Sequence, residues 1–427
     1  VRVRRLRRAR PAVAVLAAAV MVCLAGCATA GGSATGSAGA TAVAGAADST
    51  PSATDRASGG ETGVTETGLG SQAGSATPAP TRYLPTPAEL DRTFATTRMR
   101  SMSLADKIST MFMVEISGTD PAPMQAYLQA DKPGGFLLRA DNVPASAEAL
   151  GAQLSGISLS PGLSPLISID EEGGDVARLP QDTLPGGELL RSMPVSSTTD
   201  AFTKRAALLK QAGVSVNFGT IADVTADPNS FIYDRVLGTD AEAASQRVAA
   251  SVAAEQGVVF STLKHFPGHG ETEANSHTTI PSTDLPVDQW AVRDAPPFEA
   301  GIAAGAELVM FGHLEYTSVD SVPATLSVRW HEMLRGQLGF TGVAVTDDMQ
   351  MLEDSGQPQY ADRTTNAIAA IRAGNDLLLY NNDIDLPPLV AAIAAAVQAG
   401  QISVEQIDAS VVRILTLQRQ AWQRSHA

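Results

Sequence analysis

From residue 82 onward, short apolar runs alternate with longer segments whose apolar positions recur at helical spacing. Eight runs stand out, at 112–116, 135–138, 165–169, 214–221, 258–263, 307–311, 342–345 and 376–379. The intervening pattern predicts helices at 103–111, 144–156, 198–212, 240–256, 287–304, 328–338 and 361–373, and two more at 386–399 and 404–422 close the chain. Strand followed by helix, eight times over, predicts an α/β fold, a single (β/α)₈ TIM-type barrel whose site lies at the strands' C-terminal ends. Polar groups recur at that end: Glu115, Arg139, Asp170 to Glu172, Asp223, Lys264 with His265, His313, Asp347 with Asp348, and Tyr380 with Asn381. In an open doubly wound sheet they would gather at one switch point instead.

The first 82 residues follow neither period. Six arginines in the first ten residues precede an apolar stretch from Ala12 to Leu24 and then Leu24-Ala25-Gly26-Cys27. That stretch is too short to span about 30 Å of hydrocarbon and reads as a secretory leader over 1–26. Its end resembles a bacterial lipobox. The resemblance implies that Cys27 carries a diacylglycerol thioether and holds the chain on the outer face of the cell membrane. Residues 27–82, rich in Gly, Ser, Ala and Thr, lack the apolar side chains that offset the entropy of ordering, so they are expected to form a flexible tether. The catalytic barrel is then expected over 83–427. Cys23 falls in the leader and Cys27 is lipidated, which leaves no pair for a disulfide.

Loss of the six leader arginines would take the formal charge from −15 to −21. A chain this acidic does not bind nucleic acid by neutralising phosphates. The chemistry concentrates in Lys264-His265-Phe266-Pro267-Gly268-His269-Gly270 and Asn275-Ser276-His277, which hold three of the six histidines within thirteen residues. Pro267 and Gly268 break the helix on which His265 and His269, four apart, would form a zinc pair, so neither a metal nor another cofactor is expected. Val343-Ala344-Val345-Thr346-Asp347-Asp348 is an apolar strand ending in two carboxylates, of which one reaches the pocket and the other caps the next helix. The three tryptophans, Trp290, Trp330 and Trp422, are few for a long polysaccharide cleft.

Asp170-Glu171-Glu172-Gly173-Gly174-Asp175-Val176-Ala177-Arg178, the 264–270 motif and Thr346-Asp347-Asp348-Met349, in this order, resemble glycoside hydrolase family 3, in its single-domain bacterial β-N-acetylglucosaminidase branch. The resemblance covers roughly residues 82–422. It implies a retaining exo-hydrolase that releases terminal β-linked N-acetylglucosamine from cell-wall fragments, with Asp347 as nucleophile and His277 as acid/base. Retention needs a carboxylate close enough to attack the anomeric carbon and a proton donor across the bond. The resemblance further implies that Asp170, Arg235, Lys264 and His265 bind the sugar. The branch orients its histidine with an aspartate two residues earlier, where this chain has Asn275, with Glu271 or Glu273 as alternative sources of the missing charge. His269 is read as structural, its ring bonding loop backbone, while Asp223 and His313 either line or buttress the pocket. Asn275 keeps two further readings open, a catalytically impaired sugar-binding lipoprotein and a glycoside phosphorylase.

Overall fold

The computed structural model describes residues 84–426. The expected leader, Cys27 and the tether lie outside the described residues. Eight parallel strands form the sheet: β1 (Phe112–Glu115), β2 (Gly135–Leu138), β3 (Leu166–Ile169), β4 (Val216–Ile221), β5 (Phe260–Phe266), β6 (Leu308–Phe311), β7 (Val343–Thr346) and β8 (Leu378–Tyr380). From β1 to β7 each pairs with the next in sequence, and β8 pairs back onto β1. Every residue of these strands is buried, as expected of a parallel sheet covered on both faces. The last seam, between β7 and β8, closes through a bridge from Val345 to Leu377 and the hydrogen bonds of Thr346 and Leu377. The result is the eight-stranded barrel expected from the sequence, ringed by helices.

The eighth strand begins two residues later than its apolar run suggests: the Asp376 and Leu377 amides share the Ala344 carbonyl, and the Asp376 side chain is buried in a clamp of its own. Its Oδ2 accepts from the Ala344 amide at 2.9 Å and from Arg335 at 2.7 Å. Its Oδ1 accepts from the Ser410 hydroxyl at 2.7 Å and from Arg413 at 2.8 Å. One buried carboxylate therefore ties the start of β7 to the final helix.

Helices at Val195–Gln211, Ala241–Glu255, Arg363–Ala373, Leu386–Gln398 and Val404–Ser425 match the expected segments closely. Four others go beyond the expected set, two of them short (Gly187–Leu190 and Gln350–Asp354) and two longer. Pro87–Arg100 starts with a Thr86/Glu89 capping box, which the sequence displays, but it buries only a thin line of Asp91, Ala95 and Met99 against the final helix. Pro121–Asp131 hides behind its prolines, which the first turn tolerates because it needs no N–H there. The segment expected as one helix over 287–304 breaks at Asp294 into Val287–Arg293 and Ala295–Ala303, since Pro296 and Pro297 cannot donate to the preceding turn. The segment over 328–338 changes after Glu332 into a π-helical turn, Met333–Gln337.

Phe266, at the end of β5, is enclosed edge-to-face by Trp290, Phe298, Phe311 and Trp330, with centroids 5.0–6.1 Å apart. Trp290 and Trp330 are thus core residues, 1% and 0% exposed, and Trp422 stacks on His426 along the last helix. None of the three is a sugar platform. The Trp290 indole donates to the Pro267 carbonyl at 2.9 Å, so this aromatic core also supports the loop that carries the chemistry.

Candidate active site

The floor of the site is a chain of alternating charges. Lys264, 2% exposed, donates to Asp170 at 2.6 Å and lies 2.8 Å from Glu172. Arg235 closes on Glu172 from the loop after β4 with two N–H bonds, Nε at 2.8 Å and Nη2 at 2.6 Å. Burial alone would raise the Glu172 carboxyl, yet Arg235 and Lys264 outweigh it and carry the group down to about 2. Of these four, Asp170 reaches furthest into solvent, at 28% exposure. In the sequence Glu172 is only one of several acids ending β3. Its role as the hinge between Arg235 and Lys264 depends on two loops far apart along the chain.

Beside this floor, Lys264-His265 and Phe266-Pro267 are cis peptides. The Asp223 carboxylate holds the turn they form. Its Oδ2 lies 2.7 Å from His265 Nδ1, while Oδ1 accepts the amides of His265 at 3.0 Å and His269 at 2.6 Å. Burial would raise Asp223, but His265 above all keeps it below the usual carboxylate range. Asp223 is accordingly a buttress. His269 does not fit its expected role, because the bond it makes is from its backbone. Its ring nitrogens have no hydrogen-bond partner among the described residues, and burial pushes the imidazole down to about 4. The neutral ring packs 5.9 Å from His265 and 5.8 Å from Phe231.

At the tip of β7 the two carboxylates diverge. Asp348 Oδ1 accepts from the amides of Gln350 and Asn381 at 3.1 and 3.0 Å, and burial lifts its carboxyl to about 6. It acts as a loop cap. Asp347 Oδ1 accepts from the Asp348 amide at 2.8 Å. Burial would raise Asp347, but His265, His313, that amide and Lys264 together hold it below the ordinary carboxylate value. It stays ionised. His313 is fixed by bonds to the Asp348 carbonyl at 2.9 Å and the Thr325 hydroxyl at 2.9 Å, and burial lowers its pKa. His313 stands out in the sequence, whereas nothing there signals Thr325.

His277 lies on the exposed loop after β5. Asn275 Oδ1 accepts both the His277 amide at 2.9 Å and its ring Nδ1–H at 2.8 Å. Because the backbone N–H can only donate, it fixes the amide with oxygen toward the ring. The Asn275 oxygen therefore selects the same Nδ1–H tautomer that a carboxylate would, with Nε2 left to exchange protons. The imidazole is lowered by burial first; Asp347 and Asp170 oppose this, and Arg235 and His265 add to it. Glu271 does not replace the absent charge, since it is paired with Arg293. The structure thus gathers Asp347, Asp170, Arg235, Lys264 and His265 at the strand ends of the barrel, with His277 and Asn275 on the loop after β5.

A family model described as Glycosyl hydrolase family 3 N terminal domain matches residues 103–417. Beta-hexosaminidase LpqI of Mycobacterium tuberculosis is 30% identical over 334 residues, 74% of this chain and 83% of its own length. A beta-hexosaminidase of Xanthomonas oryzae pv. oryzae is 32% identical over 310 residues, 69% of this chain and 89% of its own. A solved glycoside hydrolase family 3 beta-N-acetylglucosaminidase from Paenibacillus sp. superposes with a TM-score of 0.70 at 29% identity, over 76% of this chain and 64% of that one. With the family match spanning nearly the whole barrel and the charged groups gathered at its strand ends, the chain belongs to glycoside hydrolase family 3 and is a glycoside hydrolase.

Proposed function

We propose that the enzyme is a retaining exo-β-N-acetylglucosaminidase acting through a glycosyl-aspartate. The reading is carried by an aspartate at the tip of β7, free among the described residues of any side-chain partner but its neighbour's amide, and a histidine with Nδ1 held by Asn275 on the loop after β5 of the same barrel. In the first step an Asp347 oxygen bonds to the anomeric carbon. The glycosidic bond breaks, and the departing oxygen takes the proton of His277 Nε2. In the second step Nε2 accepts a proton from water, whose oxygen attacks the anomeric carbon and frees Asp347. Asp170 receives sugar hydroxyls, held in place by the nearly buried Lys264, while Arg235 keeps Glu172 aligned beneath them and His265 faces the same ring. The β-linked N-acetylglucosamine preference rests on the names of the relatives.

Asn275 supports a second reading, in which phosphate replaces water. A neutral residue beside His277 repels an incoming anion less than a carboxylate would. A panel of nitrophenyl glycosides assayed with and without phosphate tests both. Free N-acetylglucosamine as the sugar product in both conditions is the expected result, and the sugar 1-phosphate would replace it in a phosphorylase. No turnover of any glycoside, together with retained sugar binding, would mean a binding lipoprotein instead.

The reading extends to location: lipid on Cys27 holds the enzyme outside the membrane, where cell-wall glycan ends are the accessible substrate. Cys27→Ala is expected to release the enzyme from the membrane fraction and to abolish labelling by a radioactive fatty acid. Membrane retention in that variant would refute the anchor.

A further inference from the structure

The bonds that orient His277 are local to its own loop. Asn275 Oδ1 holds the ring and the amide, and Thr278 donates back to the Asn275 carbonyl. They fix the imidazole relative to residues 275–278 and leave open what fixes it relative to Asp347. For acid catalysis that second relation matters, because proton transfer requires the donor within hydrogen-bond reach of the leaving oxygen.

The loop after β4 supplies a contact of the right kind. The half-buried Phe231 ring meets His277 edge-to-face, centroids 5.4 Å apart at 68°. The same ring packs 5.8 Å from His269 and 5.9 Å from the Arg235 guanidinium. Both of these are anchored, His269 by its amide to Asp223 and Arg235 by two bonds to Glu172. Next to Phe231, the Ser230 hydroxyl donates to the Thr272 carbonyl at 3.2 Å, a second tie between the two loops. Phe231 is therefore a wedge between the rigid floor of the site and the residues that carry the His277 ring.

We infer that Phe231 is a positioning residue, which docks the His277 loop so that the imidazole faces the glycosidic oxygen. This rests on the acid/base reading of His277. An edge-to-face aromatic contact shifts an equilibrium by about 2- to 10-fold beyond what area burial gives. Such a contact is strong enough to bias an exposed loop toward one position, yet weak enough to let it move between the acid and base steps.

The test is the leaving-group dependence of kcat/KM in the full-length enzyme. Dinitrophenolate leaves without a proton, whereas the sugar leaving group of di-N-acetylchitobiose needs one. Phe231→Ala is expected to lose about fivefold to tenfold on chitobiose, the bias that one such contact supplies, and under about twofold on the dinitrophenyl glycoside, whose leaving group needs no acid. Phe231→Tyr keeps the ring and should restore the wild-type slope. Phe231→Leu keeps the bulk without the aromatic edge and should behave as the alanine variant does, which covers the case in which alanine fails to fold. Equal losses on both substrates, or none on chitobiose, would overturn the proposal. His277→Ala is measured alongside. If it steepens the dependence and Phe231→Ala does not, the positioning role alone falls; if it does not, the acid/base reading falls first and takes the positioning role with it.

Discussion

Asp347→Ala is expected to lower kcat on every glycoside by about four orders of magnitude or more, as removal of a covalent nucleophile does elsewhere. The fold should tolerate the change. Asp347 accepts one side-chain bond, from its neighbour's amide, and its charge is offset by His265, His313 and Lys264, none of which depends on it for packing. Melting temperature should therefore stay close to wild type while turnover vanishes. A fluorinated glycosyl fluoride that traps the intermediate should label wild-type enzyme on the peptide containing Asp347. Near-wild-type turnover in the alanine variant, or label on Asp348, would move the nucleophile elsewhere. The second outcome is disfavoured by geometry, because Asp348 already spends its carboxylate on the amides of Gln350 and Asn381.

Loss of the His277 ring has the next largest effect and a different signature. His277→Ala should cost about 10² to 10⁴ in kcat/KM on a sugar leaving group, the usual worth of a general acid. The pH dependence follows from the electrostatics of the two groups. The attacking form needs Asp347 ionised, and its pKa, held below the ordinary carboxylate value of 3.8, keeps it so where His277 titrates. The donating form needs His277 protonated, and burial lowers its pKa below the ordinary imidazole value of 6.5. Chitobiose hydrolysis should accordingly decline, as pH rises, before neutrality is reached. Asn275→Asp places a negative charge on the atom that now accepts Nδ1–H, which favours imidazolium and moves that decline upward. An imidazole that holds its proton about ten times more tightly would raise the rate at pH 7 by about the same factor. An unchanged pH profile in the aspartate variant would mean that Nε2 is not the proton donor.

Much of this architecture is readable from residue order. The eight strands are visible because a parallel strand buried on both faces must be apolar throughout, and such runs end where charge begins. Lys264, His265, Asp347 and His277 are visible because each sits where an apolar run or a glycine-rich turn has no packing use for it. What stays hidden depends on partners distant in sequence. Glu172 acts through Arg235, 63 residues away, and Phe231 acts on His277 across two loops. Trp290 and Trp330 look like any exposed aromatic until Phe266 encloses them. The helix over Pro87–Arg100 escapes a reading of periodicity because its buried line is only three residues wide, although its capping signature is legible.

The Asp376 clamp bears on the order in which the molecule can be completed. Two of its four donors, Ser410 and Arg413, belong to the helix over Val404–Ser425, and a third is the Ala344 amide, three residues ahead of Asp347. A nascent chain can lay down all eight strands and still leave that carboxylate without half its partners, a costly state for a buried charge. Vectorial synthesis thus leaves the clamp incomplete until the 404–425 helix emerges, and loss of that helix would be felt within three residues of Asp347.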